Sequence, residues 1–310
     1  MSDIREIYKR ISQKMAESNF KINENIILPC YMGYSKEGNL QFSIVSKIDA
    51  PNFGSTKLIT VRQGREDENI FWSIFILNDS SATNVFLTLI EDLIDSIREE
   101  NDQMIALNIM KNRLYIWKKL LNQNNAFHLT DSKRIGLFGE LLFLKKIIIP
   151  EYGIYDGLRA WSGPDGTKKD FSINDKWFEI KTIYAGNDSI KISSVDQLDS
   201  DNAGYLCICK IEEMSLSFTE EYSSLNDIFT YFVNLIKDAE QLDDFIDKLN
   251  KVGFAPGDRD NDTKYKLVAI DKYKVEDDFP RLRLSDVKYT EIRKLTYELS
   301  IGDLVRFKEN

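Results

Sequence analysis

Asp170, Glu179 and Lys181 lie within WSGPDGTKKDFSINDKWFEIKT, a run whose spacing can bring two carboxylates and an ammonium together. With Asn174-Asp175 as a two-residue hairpin turn, Ile173 pairs with Lys176, Ser172 with Trp177, Phe171 with Phe178 and Asp170 with Glu179. The two carboxylates then face each other with Cβ atoms about 5 Å apart. Lys181, two residues beyond Glu179, shares that face because strand side chains alternate. Like charges set opposite one another destabilise a sheet unless a cation lies between them. Mg²⁺ suits such a place, since it takes one or two carboxylates and shares its other positions with water and substrate phosphate. Bound there, it would polarise a phosphate and acidify a water, while the lysine orients that water or offsets developing charge. That is phosphodiester chemistry without histidine. The competing reading is an exposed, charged strand face that binds nothing.

The tripeptide alone decides nothing. Acid-x-Lys occurs four times, at Asp131/Lys133, Glu179/Lys181, Asp262/Lys264 and Asp286/Lys288, a frequency that chance explains. Context separates Glu179/Lys181: an aromatic β-run, an aspartate across a hairpin, and an upstream helix carrying an unusual glutamate. Glu140 has Gly136, Leu137, Phe143 and Leu144 as helical neighbours, and a carboxylate on so apolar a face is costly unless it is paired or binds metal. The alternative partners for it are Lys145 or a helix N-terminus.

Elements must hold these side chains. The spacing predicts a helix over 3–18, strands at Ile26–Tyr34, Leu40–Lys47, Lys57–Arg62 and Asn69–Leu77, and helices at Ser81–Glu100 and Gln103–Asn122. A third long helix, Asp131–Ile149, is expected to be capped by Asp131 or Ser132 and stopped by Pro150. Beyond it come strands Lys169–Ile173, Lys176–Ile183, Lys191–Ser193 and Tyr205–Ile211, with a short helix near Val195–Leu198. A helix over Leu225–Asn250 and strands at Tyr265–Tyr273 and Tyr289–Leu299 complete the chain. The polar stretch Asn122–Asn125 marks a boundary, giving three parts: 1–125, 126–215 and 216–310.

The order of glutamate helix, P-D then D hairpin, E-x-K strand and Ser/Gln-bearing turn resembles the PD-(D/E)xK nuclease superfamily. More narrowly, GLFGELLFL, WSGPDGTKKDF, FEIKT, ISSVDQL and FPRLRLSDV…YELSI resemble a bacterial PD-(D/E)xK family associated with restriction and anti-phage loci. The resemblance spans roughly 135–300, with no comparable likeness over 1–125. It implies an α/β, mixed α+β restriction-endonuclease-like core with a β-rich N-terminal region and a mixed C-terminal extension. It makes Asp170 and Glu179 metal ligands with Glu140 as accessory carboxylate, Lys181 the catalytic lysine, and Gln197 a polar neighbour of substrate or lysine. Ser193 and Ser194 are candidates for phosphate contact. Pro164-Asp165 matches the literal P-D, but Asp170 lies on the strand, so Asp165 is read as a loop or substrate contact, together with Lys168 and Lys169.

Composition narrows the alternatives. The 310 residues include one histidine, His128, and three cysteines, Cys30, Cys207 and Cys209. Zinc hydrolases, Ser-His-Asp triads and four-ligand zinc sites need more. The net charge of −9 argues against indiscriminate coating of nucleic acid. The start, MSDIREIYKR, has no apolar signal core and no run reaches the ~18 residues of a membrane span, so a cytoplasmic protein is expected. The expected activity is Mg²⁺-dependent endonucleolytic hydrolysis of DNA, with Mn²⁺ able to substitute, within a restriction or anti-phage system. ATPase or methyltransferase subunits and a second copy of the chain are the partners this admits. The rival reading is a non-catalytic DNA-binding or assembly subunit that keeps the nuclease fold, and RNA remains open as the substrate.

Overall fold

The computed structural model describes residues 4–14, 19–22, 25–121, 129–202, 204–214, 222–256, 258–289 and 291–309. The chain divides into two compact units, residues 1–128 with 229–259, and residues 129–228 with 260–310. The boundary expected at Asn122–Asn125 lies outside the described residues, as does His128. Residues 229–259, which the sequence reading kept within a C-terminal part, belong with the N-terminal unit. Their aromatic side chains explain why: Phe229 meets Trp117 edge-on at 5.5 Å, and Phe232 packs on Phe245 at 5.2 Å.

The first unit carries helix α1 (Ile4–Lys14), strands β1 (Phe20–Lys21), β2 (Cys30–Tyr34), β3 (Leu40–Ser46), β4 (Ile59–Asp67) and β5 (Ile70–Leu77), and helices α2 (Thr83–Ser96) and α3 (Gln103–Leu121). Its antiparallel sheet has the order β1-β2-β3-β5-β4. Strand β3 alternates strictly, burying Leu40, Phe42, Ile44 and Ser46, the pattern of a sheet with one face in the core. Among the helices, Asp92 of α2 takes Arg113 of α3 on both oxygens, at 2.6 and 2.8 Å, and the Trp117 indole at 2.8 Å.

The second unit begins with α4 (Asp131–Phe143), which runs through a π-helical turn (Leu144–Ile148) into α5 (Ile149–Tyr152) and then α6 (Ile154–Ala160). Thr130, rather than Asp131 or Ser132, caps α4 by accepting from the Lys133 amide. Nor does Pro150 stop the helix. It sits in the first turn of α5, where its missing N–H is tolerated, and Gly153 at φ 82° ends the run.

Strands β6 (Phe171–Ile173), β7 (Lys176–Tyr184), β8 (Ser189–Ile192), β9 (Gly204–Met214) and β10 (Tyr222–Ser223) follow. The expected Leu225–Asn250 helix is two, α7 (Leu225–Leu235) and α8 (Ala239–Val252), because Asp238 caps a new start through the Gln241 amide. Strand β11 (Lys264–Val275) is longer than expected, and the last strand shrinks to β12 (Tyr297–Ser300). The main sheet has the order β10-β11-β9-β7-β6, with β7 and β9 parallel and the other pairs antiparallel. Phe143 of α4 covers one face through Phe171 and Phe178. The opposite face carries a second cluster in which Trp177, Leu206, Ile208 and Tyr273 meet Ile190, Ile192 and Leu299 of the small β8–β12 sheet. This mixed α/β arrangement is consistent with a restriction-endonuclease-like α+β core. Among the described residues no helix is long and apolar enough to cross a membrane.

Candidate active site

The β6–β7 hairpin has the register expected from its turn: Ile173 opposite Lys176, Ser172 opposite Trp177, Phe171 opposite Phe178. Asn174 and Asp175 both take positive φ, 49° and 61°, the backbone of a type I′ turn matched to strand twist. Asp170 falls one residue before β6. Its Oδ2 accepts from the Ile180 amide at 2.7 Å, fixing the carboxylate beside β7. Backbone bonds from Ser162 and Gly163 to the Asp170 carbonyl, 2.8 and 3.0 Å, fold the preceding segment back onto it. That brings in Trp161, whose indole donates to Glu140 Oε2 at 2.8 Å. On β7, Lys181 Nζ donates to Glu179 Oε1 at 2.7 Å and to Gln197 Oε1 at 3.1 Å. Gln197, in the short turn Val195–Gln197, also accepts from the Ser193 amide at 2.8 Å.

These acids are crowded. Glu179 is 1% exposed, whereas Glu140 and Asp170 keep part of their surface open to solvent. Burial, reinforced by the Asp170 charge, pushes Glu140 up to about 8, with the Trp161 bond pulling the other way. Glu179 is likewise pushed up to about 8 by burial and Asp170, against the pull of Lys181. Burial also raises Asp170, opposed by the Ile180 amide and by Lys181. Repelling carboxylates with a single bonded lysine call for a proton or a cation.

A family model described as "Putative PD-(D/E)XK family member, (DUF4420)" matches residues 4–302. The chain belongs to this family. Members of the PD-(D/E)XK superfamily are generally nucleases, that is, hydrolases. The match runs through the N-terminal unit as well, where the sequence reading found no likeness. Neither curated proteins nor solved structures return a match.

PD-(D/E)XK nucleases usually use divalent metals such as Mg²⁺, and the donors here can be tested against that. Among the described residues, no group of three or more His, Cys, Asp or Glu side chains is drawn together as a ready cation cage, so the expected trio of ligands is not closed as it stands. Mg²⁺ does not require one, because one or two carboxylates with water and substrate oxygens suffice. Each acid uses one oxygen on a protein donor, and Asp170 Oδ1, Glu140 Oε1 and Glu179 Oε2 make no described hydrogen bond. Gly163 keeps the place open. A Cβ on it would lie 3.1 Å from Asp170 Oδ1 and 3.3 Å from Glu140 Oε2. Oxygen donors around a space that a methyl group would fill fit a hard divalent cation.

The other expected contacts divide. Asp165 is exposed on the Gly163–Asp165 turn that borders the cluster. Ser193 reaches the site through its backbone amide, and the Ser194 carbonyl accepts from the Gln197 amide. Lys168 pairs with Asp196 at 3.0 Å. Lys169, read as a substrate contact, is committed elsewhere. It donates to the carbonyls of Asp196, Gln197 and Asp199 at 2.9, 2.7 and 3.2 Å and lies 3.8 Å over the Trp177 ring. Burial lowers it to about 8 although Glu179 and Asp199 oppose that. Both lysines therefore anchor the turn that presents Gln197. Trp161 was missed by sequence reasoning; its signal was an indole just before the P-D pair.

Proposed function

We propose that the chain is a metal-dependent endonuclease that hydrolyses DNA phosphodiesters in the cytoplasm. The observation that carries this is the gathering of Asp170, Glu179 and Lys181 on one hairpin, with Glu140 pushed up beside Asp170. Asp170 and Glu179 would hold Mg²⁺ or Mn²⁺, assisted by Glu140, and the ion would supply phosphate polarisation and an acidified water. Lys181 has three N–H donors, two of them engaged by Glu179 and Gln197. The third is available to orient the attacking water or a phosphate oxygen. Trp161 and the Ile180 amide hold the carboxylates in place before substrate arrives. The likeness to restriction and anti-phage families supports a defence role, with ATPase or methyltransferase subunits as partners and a second copy where both strands are cut.

Lys181→Ala should lower Mg²⁺-dependent cleavage of plasmid DNA by at least about 10²-fold while its thermal melt stays close to wild type. Equal cleavage by that variant would sink the assignment. The acidic balance, −9 overall, favours a second reading, a DNA-binding or assembly subunit that does not cut, since acidity weakens autonomous DNA affinity. Salt-sensitive DNA binding without cleavage in either metal would decide for it.

A further inference from the structure

Residues 281–294 carry Arg281, Arg283, Lys288, Arg293 and Lys294 against Asp286 and Glu291, a net +3 in a chain of net −9. Among the described residues of this stretch the only regular element is the short turn Leu284–Asp286. Its first half is bolted to the loop that follows Gln197. Arg281 Nη1 donates to the Leu198 carbonyl at 2.7 Å, and the Leu284 amide to Asp199 Oδ2 at 3.0 Å. Arg283 is held by Asp277 at 2.7 Å. The stretch is thus tied to the same loop whose glutamine holds Lys181.

The second half is different. Lys288, Tyr289, Ile292, Arg293 and Lys294 are exposed, Tyr289 by 68%. Many lysines of the same unit are matched to an acid: Lys210 and Lys308 to Asp271, Lys264 to Asp227, Lys272 to Glu309, Lys274 to Glu276. Lys288, Arg293 and Lys294 make no described ion pair or side-chain hydrogen bond. In a chain with 50 acids to 41 bases, three such cations within the seven residues 288–294 point to an anion from outside. An irregular segment that presents side chains without a helix or strand in a groove suits a phosphate backbone, which positions without reading sequence.

We propose that Lys288, Arg293 and Lys294, with Tyr289 beside them, form a strap that binds the phosphate backbone of the DNA duplex brought to the Asp170–Glu179–Lys181 site. The proposal rests on the nuclease reading above. Its consequence is that affinity and cleavage separate: the strap holds the duplex and the hairpin cuts it.

The test uses the full chain in EDTA, with a fluorescent DNA duplex titrated at several salt concentrations. The variants are the triple Lys288→Ala/Arg293→Ala/Lys294→Ala and a charge-matched triple of exposed cations in the other unit, Lys9→Ala/Arg10→Ala/Lys111→Ala. Thermal melts show that both fold. The strap triple should weaken binding by at least about 10-fold near 100 mM salt and flatten the log K against log salt slope by about 3, close to one per lost phosphate contact. The control should change affinity less than about twofold. An unchanged slope and affinity in the strap triple would overturn the strap, as would equal losses in both triples. Tighter binding of an RNA duplex of the same sequence would overturn DNA as its occupant. The nuclease reading fails separately: wild type that binds through the strap yet cuts nothing in Mg²⁺ or Mn²⁺ keeps the strap and loses the enzyme.

Discussion

Asp92 in the N-terminal unit and Glu140 in the second each accept a hydrogen bond from an indole, Trp117 and Trp161, both at 2.8 Å. Around Asp92 every charge is answered. Arg113 grips both oxygens and also donates to the Ile236 carbonyl at 2.6 Å. Around Glu140 the neighbours are two more carboxylates, and the nearest bonded cation, Lys181, is spent on Glu179 and Gln197. A buried charge with a full set of partners ties elements together. A buried cluster with too few cations stores an unmet demand, which is what a binding site consists of.

The largest effect expected from this contrast is on stability. Arg113→Met leaves Asp92 buried without its cation and should cost about 3–5 kcal/mol in denaturant unfolding. Glu140→Gln, which keeps an oxygen for Trp161, should cost little or raise the melting temperature of metal-free protein above pH 8. Comparable losses in both variants would erase the distinction.

A smaller effect concerns pH. Glu140 and Glu179 rise from 4.5 to about 8 on folding, so between those values the folded chain binds more protons than the unfolded one. Stability from this source is complete below pH 4.5, falls as pH rises, and is gone above about 8. Melting temperatures of metal-free protein should therefore decline from pH 5 to 9, and added Mg²⁺ should raise them most at the alkaline end. Glu140→Gln/Glu179→Gln should flatten the decline. A metal-free profile that is flat or rising would contradict the account.

The smallest effect is expected at Lys169. Lys169→Met frees the loop carrying Gln197, so cleavage should drop about 10-fold while duplex affinity and melting stay near wild type. Lys169→Arg should recover part of the rate. Loss of affinity instead of rate would return Lys169 to the role of a substrate contact.

Much of the hairpin could be read from residues alone, because Asn174-Asp175 dictates a tight turn and the turn dictates register. Glu140 stood out for the same local reason, an acid on an apolar helical face. Features set by distant partners were hidden. The parallel pairing of β7 with β9 depends on a crossover through β8 and the Val195–Gln197 turn. Lys169 looked like a free cation until three loop carbonyls were placed around it. Pro150 looked like a stop because a π-helical turn has no sequence signature. Residues 229–259 joined the N-terminal unit through aromatic contacts that no spacing announces.

Gly139 sits beside Glu140, on the flank of α4 that meets β7. A Cβ there would fall 1.8 Å from Thr182 Oγ1 and 2.9 Å from Thr182 Cβ, too close for any side chain to fit unless the helix backs away. Among the described residues, Thr182 Oγ1 is itself buried without a hydrogen-bond partner. The absent methyl therefore acts as a gauge block: it fixes the gap across which Glu140 faces the hairpin, and a single carbon atom added at position 139 would widen it.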